Sequence, residues 1–502
     1  MNAQRTNDEH ADRRFTEAGV QEDLQRQPHL FVRLAENALT VAESLRGNYF
    51  QNTAKFIAAL RRAIAQTQGG RRAEPILTVH SLSETSWDEV RNEVVTFIDG
   101  GVGQVQLASR APILLRVGSY RVRTGERQLS EREQFGYYPV ILGDLEGGSR
   151  ERRDFVDIVR ITAELLAGLS ALERTPDLRV LMFHGPLTYL VGGYAGHTPF
   201  TERDIDIFLH QYAPDPRLGQ SLKDAFLQEA RLDIYPHMTQ RPDEWARKRL
   251  FEPLAFMAFL LRRLRDLAKD RQPPVYVVGV VERGSLREFS ETILLERVFR
   301  GLRQKGNINY FNNMYGRQDL STPKALLDRL GYTDALLLAM VLEPGQYSES
   351  WQMHKFDGLR RGEVTLPGET SAEIVNFETL KPASGHGFPS IRSCYLHVSE
   401  ITEPVRIEVF DDLFCDTYLE EVVRRVRLYA QLLPGYGFPV GLDIADKYAQ
   451  VPAWLTNAYS KLIRYHLGVS LQRGDMSDAE MRRVLVQAIY MTHRDWLFRP
   501  EP

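Results

Sequence analysis

Cysteine is almost missing from this sequence: Cys394 and Cys415 are the two it has in 502 residues. Two are too few for a disulfide framework or a cysteine zinc site, so a reducing cytoplasm is the expected compartment. Long apolar runs are missing as well. The opening MNAQRTNDEHADRRF lacks the apolar stretch of a signal peptide, and no later run reaches the ~20 residues that a spanning helix needs, so no membrane association is expected. Strong charge bias is absent too, with 63 Lys and Arg against 66 Asp and Glu and a net charge of −3. Any hold on nucleic acid must then come from a local basic surface or from a metal that neutralises phosphate. Several catalytic signatures are lacking: a Walker GxxxxGK, a GxSxG elbow, an HExxH, and a GxGxxG that opens a helix after a strand. Their lack argues against an ATPase motor, a serine hydrolase, a zincin and a Rossmann dehydrogenase. No internal repeat or low-complexity tract stands out.

What the chain has is an apolar fraction of 43%, ordinary for a globular protein, and a length well beyond one small core. One dominant domain with insertions is expected. Residues 1–27 read as a flexible arm and 28–75 as a helical region, where Leu34, Ala38, Val41, Leu45, Ile57, Leu60 and Ile64 recur at helical spacing. A main domain follows over 76–457, with an insertion at about 188–274, and a helical region over 458–502 closes the chain.

Within the main domain, EVVTFIDGG reads as a buried strand, and the paired Gly100 and Gly101 are expected to turn the chain and leave Asp99 at the strand end. VQLAS and ILLRVGSYRV read as two antiparallel strands that complete a three-stranded meander. DFVDIVRITAELLAGLSAL reads as a helix, and LRVLMF as a strand ending at His184 in an HGP turn. VYVVGVV reads as a further strand, LREFSETILLERVF as a helix and DALLLAMVLEP as strand-like. CYLHVS and PVRIEVF read as antiparallel strands, and roughly the last eighty residues as helices. The order βββαβ, with an acid at the first strand and another in the following helix, matches by analogy an RNase H-like α/β fold, a mixed sheet flanked by helices with helical additions at both ends.

Such sites draw carboxylates from separate elements, because Mg²⁺ and Mn²⁺ prefer hard oxygen ligands and two ions ~4 Å apart stabilise both attacking and leaving oxygens. Asp99 is the first candidate, since a buried carboxylate needs a charge or metal partner; the plain alternative is a turn aspartate before glycine. Glu164 shares a helix face with Asp157 and Arg160, as a ligand or as part of a solvated ion-pair stripe. His184 ends a buried strand, where it is either a metal ligand and proton carrier or a hydrogen-bonded turn residue. Asp446, in GLDIADKYAQVP, lies on a helix whose Leu442, Ala445 and Tyr448 pack while the carboxylate points elsewhere. Arg283 and the RRLR run at Arg262 to Arg265 are candidate phosphate contacts or ordinary surface charges.

Taken in order, FIDGG, HGPL, VVGVVERGS and GFPVGLDIADKYA resemble the blocks of the NurA nuclease family, over about residues 94–457. The resemblance implies a DNA end-processing nuclease dependent on Mn²⁺, with Mg²⁺ as the alternative ion. It also implies a homodimer that works with a hexameric HerA-type ATPase. Asp99 matches the family's first aspartate, and Glu164 its helical glutamate, with Asp157 the rival. The second strand-end aspartate of a DGSL-like block is replaced here by His184 in HGPL. Near the C-terminus the usual GYP and AH become GFP and AD, so Asp446 replaces a histidine and Phe438 a tyrosine. Arg283 stands where the family often has lysine, offering a planar fork instead of a compact ammonium. Carboxylate and imidazole have exchanged places, and the ligand inventory is kept: Asp99, Glu164 and Asp446 for metal, with His184 assisting. Two other readings stand beside this one. The first is a catalytically silent subunit that docks on the ATPase and guides DNA; the second is an RNase H-like nuclease acting on RNA or structured DNA without a motor. The helical region 28–68 is the expected partner or dimer contact.

Overall fold

The computed structural model describes residues 25–26, 28–67, 75–84, 86–104, 113–142, 149–187, 206, 221–226, 253–353, 387–472, 479–480 and 482–483. In chain order its main elements are α1 (Pro28–Ser44), α2 (Gln51–Thr67), β1 (Val79–Ser81), β2 (Val94–Gln104), β3 (Ile113–Arg123), β4 (Glu133–Leu142) and α3 (Ser149–Arg174). They continue as β5 (Leu178–His184), α4 (Pro253–Asp270), β6 (Tyr276–Val281), α5 (Leu295–Gln304), α6 (Tyr310–Tyr315), α7 (Pro323–Leu330) and α8 (Asp334–Ala339). The last are β7 (Gln346–Ser348), β8 (Trp351–Gln352), β9 (Ile391–Leu396), β10 (Val405–Phe410), α9 (Asp416–Ala430), α10 (Val440–Ala449) and α11 (Ala453–Gln472).

Two compact units divide the chain, Met1–Thr78 with Arg287–Thr333 and Val79–Leu286 with Asp334–Pro502. The described part of the first unit is helical. Its α1 and α2 follow one another through a π-helical turn at Leu45–Phe50, and Phe56 on α2 meets Phe311 on α6 edge-on, with ring centroids 5.3 Å apart. Phe311 in turn contacts Phe299 on α5, and all three rings are buried.

The second unit is built on one mixed sheet in the order β1-β7-β9-β10-β6-β5-β2-β3-β4, with β8 beside β9. β2, β3 and β4 form the antiparallel meander, while β5 runs parallel to β2 and β6 parallel to β5. The order β4-β3-β2-β5-β6 is the RNase H-like arrangement. Alternation along β5 sorts the two faces. Val180 and Met182 join Val95, Phe97, Val278, Val280 and Ile407 in a core that α9 and α10 cover with Val422, Val426, Leu442 and Ala445. Leu181 and Phe183 point the other way, to α3, where the missing Cβ of Gly168 leaves room for the Phe183 ring. Helix α3 is buried on nearly all sides from Val159 to Leu172, because α4 packs on it as well as the sheet.

Three expectations change. Gly100 and Gly101 do not turn the chain: β2 runs on to Gln104, pairing residue by residue with β3, so Asp99 stands in mid-strand opposite Gly118. The glycines serve close approach instead, since a Cβ on Gly101 or Gly118 would fall on the carbonyls of Ala449 or Ala445 in α10. The third meander strand is β4, EQFGYYPVIL, not VQLAS, which lies outside the described residues. Its Pro139 argues against a central strand but is tolerated because β4 ends the sheet path and has one ladder to serve. DALLLAMVLEP opens as helix α8; Asp334, Ala335, Leu337 and Leu338 are buried while Leu336 is exposed, a helical spacing that a short apolar run does not reveal. Most of the expected insertion at 188–274 and of the arm at 1–27 lies outside the described residues, apart from α4 and short pieces.

Candidate metal centre

Asp99 and His184 reach one face of the sheet because β2 and β5 are parallel neighbours, with Ile98 opposite Phe183. Asp99 shares its face with Phe97, and His184 with Met182. The imidazole Nδ1 lies 2.8 Å from Asp99 Oδ2, while Asp99 Oδ1 accepts the Gly100 N–H at 2.8 Å. Helix α10 crosses the same face over β2 and β3 and brings the Asp446 carboxyl beside that of Asp99, where it accepts from Gln450 Nε2 at 3.1 Å. Asp99, His184 and Asp446 each offer one ligand atom, and these atoms lie within 4.8 Å of one another. Phe438 walls the group, its ring centroid 5.1 Å from that of His184.

Glu164 comes from the other side of the sheet, on α3. It fills the space that a Cβ on Gly100 would take, and its Oε1 accepts a hydrogen bond from Arg160 Nη1 at 2.6 Å. The Nε of Arg160 also lies 3.9 Å from Asp157 Oδ1. The stripe of Asp157, Arg160 and Glu164 is therefore real, but it is not evenly solvated: Glu164 is 3% exposed, whereas the Asp157 side chain is 43% exposed. Glu164 borders the cluster without joining the close set of three.

Burial pushes the Glu164 carboxyl up to about 7, against the pull of Arg160 and with the Asp99 charge adding to the rise. Burial, then the Asp99 charge, also raises Asp446 above the usual carboxylate range. For His184 burial works downward, but the hydrogen bond and charge of Asp99, followed by Asp446 and Glu164, leave it above its ordinary value. Three carboxylates and an imidazole so close hold protons that a divalent cation would displace, and a set of two carboxylates with one imidazole suits Mn²⁺. The residues present fit such an ion.

A pH dependence follows. Glu164 holds its proton up to about 7, and His184 holds its proton above its ordinary value, so protons compete with the ion there. Mn²⁺ affinity, read from the free-ion electron paramagnetic resonance signal, should rise by about tenfold between about pH 6 and about pH 8. The same raised carboxyl has a stability consequence in the metal-free protein. The folded state binds more protons than the unfolded state between the ordinary glutamate value and about 7, so this group's contribution to stability falls as pH rises through that window. Glu164→Gln should then raise the melting temperature of metal-free protein at about pH 8 and leave it unchanged at about pH 4; an effect of equal size at both would contradict the shift.

Arg283 follows β6, the neighbour of the His184 strand, in a left-handed turn at φ 48, with its side chain 84% exposed and its Nε 3.7 Å from Glu282 Oε1. Two arginines of the RRLR run make contacts within the protein. Arg262 is buried, donates to the Gly387 carbonyl at 2.8 Å and is pulled down to about 10 by that burial, while Arg265 pairs with Asp266 and Asp412. The i to i+4 spacing of Arg160 to Glu164 is the sequence signal for their contact.

No curated protein matches the chain. Among solved structures it is similar to the NurA nuclease from Sulfolobus solfataricus, at 10% identity over 89% of this chain and 98% of that one, with a TM-score of 0.45. It is similar also to a NurA crystallised with manganese, at 10% identity over 81% and 96% of the two chains and a TM-score of 0.36. A third, NurA bound to dAMP and manganese, is 14% identical over 86% and 94%, with a TM-score of 0.29. The NurA domain model matches residues 93–451, a span that opens just before β2 and closes just after α10 and so contains every residue of the cluster. By that match over most of its length, the chain belongs to the NurA family.

Proposed function

We propose that this chain is a metal-dependent deoxyribonuclease that hydrolyses DNA phosphodiester bonds. The observation that carries the proposal is the convergence of Asp99, His184 and Asp446, with ligand atoms within 4.8 Å of one another, inside the span matched to the NurA domain. Asp99 and Asp446 are assigned as metal-holding carboxylates, with Glu164 as the adjoining acid of the same set. A Mn²⁺ or Mg²⁺ ion held there supplies Lewis acidity, activating water and offsetting phosphate charge.

The protein's own groups do the rest. Asp99 fixes the orientation of His184 through Nδ1, leaving Nε2 as the atom that carries a proton to or from the reacting groups. Arg160 holds Glu164 beside Asp99. Arg283, exposed at the end of the neighbouring strand, is assigned to a DNA phosphate next to the scissile one. Family membership supports the wider setting: a cytoplasmic homodimer working with a hexameric HerA-type ATPase in DNA end processing, repair or defence against foreign DNA.

The test is degradation of end-labelled linear DNA by purified protein in Mn²⁺, Mg²⁺ or EDTA, with and without a HerA-type ATPase from the same cell. Metal-dependent product is the expected result. No product in any metal, with an ATPase that is itself active, would leave the silent docking subunit as the function.

A further inference from the structure

Behind the candidate centre, β10 carries two charged side chains on one face, Arg406 and Glu408, at 6% and 0% exposure. Their alternate neighbours Val405, Ile407 and Val409 fill the core on the opposite face. Arg406 Nε donates to Glu408 Oε1 at 3.0 Å, and Glu408 Oε2 accepts the backbone N–H of Leu187 at 2.9 Å. Leu187 lies three residues beyond His184, in the HGPL segment. The route between them is open because Gly279, the register partner of Glu408 on β6, has no side chain: a Cβ there would stand 2.8 Å from both Gly185 O and Leu187 N. Gly185 N–H donates to the Val280 carbonyl at 2.8 Å and Pro186 has no N–H, so the Glu408 carboxylate satisfies the one remaining amide of the segment.

The network continues from Arg406 to its register partner Tyr395, whose hydroxyl accepts from Arg406 and donates to Asp334 Oδ2 at 3.2 Å. Asp334 N–H donates to the Leu286 carbonyl, in the segment that leaves β6 past Arg283. A buried ion pair is a poor device for stability, since apolar residues of similar volume usually serve as well or better. This one is placed where it braces the backbone leading away from His184.

We propose that Glu408 is a positioning residue for the metal centre: by holding the Leu187 N–H it fixes the segment after His184 and so keeps the imidazole against Asp99. The inference rests on the metal reading given above. Its test compares three variants with wild type by Mn²⁺ affinity from the free-ion resonance signal, by melting temperature, and by hydrogen exchange of the Leu187 amide. Arg406→Met with Glu408→Leu removes both charges together and avoids stranding a buried cation; Glu408→Gln keeps an oxygen acceptor; Asp99→Asn reports whether the ion sits where the cluster is. The double variant should keep its melting temperature, exchange the Leu187 amide faster and bind Mn²⁺ about tenfold more weakly, while Glu408→Gln stays within about threefold of wild type. Mn²⁺ binding by the double variant equal to wild type overturns the proposal, as does an equal loss in Glu408→Gln. Mn²⁺ binding untouched by Asp99→Asn instead overturns the metal reading beneath it, and the amide exchange distinguishes that failure from one at Glu408.

Discussion

Asp99→Asn should lower the rate of DNA cleavage by roughly three orders of magnitude at saturating Mn²⁺. Asp99 accepts from Gly100 N–H through Oδ1, meets His184 through Oδ2 and has its ligand atom within 4.8 Å of that of Asp446, so it adjoins every other member of the close cluster. The amide keeps the shape and one acceptor oxygen but puts a neutral NH₂ donor in place of the other. It loses the negative charge that holds both the ion and the imidazole. The fold should survive, because removing a charge from a crowded acidic site relieves repulsion among Asp99, Glu164 and Asp446. Circular dichroism and melting temperature close to wild type, with cleavage gone, is the expected pair of results. Cleavage within tenfold of wild type would remove Asp99 from the metal set.

The second large effect concerns the exchanged imidazole and carboxylate. His184 and Asp446 occupy positions at which NurA blocks, by resemblance, carry aspartate and histidine, and the structure brings the two side chains into one cluster with Asp99. His184→Asp alone would set three carboxylates within that small space; Asp446→His alone would leave one carboxylate with two imidazoles. Either single change should lower cleavage by about a hundredfold or more, the first by repulsion and the second by lost negative charge. Made together, they restore two carboxylates and one imidazole. Because the residues touch a shared centre, their effects should be strongly non-additive, and the double variant should recover to within about tenfold of wild type in a double-mutant cycle on labelled DNA. Additive losses would mean that each residue is fitted to its own position and the inventory alone does not decide.

How much of this was legible follows from where each signal resides. β2, β3, α3, β5 and β6 were readable because each leaves a run of branched or aromatic side chains long enough to show its period, whereas β4, with Gly136 and Pro139 inside it, was not read as a strand. Asp99, His184 and Asp446 were readable as candidates because polar side chains interrupt such runs. That they lie within reach of one another depends on the parallel pairing of β2 with β5 and on α10 crossing over, neither of which a linear pattern encodes. Asp99 in mid-strand was missed because Gly-Gly has two physical uses, turning a chain and admitting a neighbour, and the neighbours here, Glu164 at Gly100 and Ala449 at Gly101, are distant in sequence. Glu408 left a weaker trace. In PVRIEVF a charged pair alternates with valine and isoleucine, which reads as the wet face of a strand; what makes it a buried pair is the covering of that face by parts of the chain far from it.

Helix α10 rests on β2 and β3 at Gly101 and Gly118 with peptide group against peptide group and no side chain between. Elsewhere in the core, a change of residue volume is taken up by neighbouring rotamers, and layers shift by the difference. At this contact there is no such buffer and nothing to drift, for the separation of helix and sheet is set by backbone atoms that every sequence shares. The height of Asp446 over Asp99 is thereby insulated from the composition of its own scaffold, which leaves the surrounding apolar residues at liberty to diverge while the spacing of the acids stays fixed.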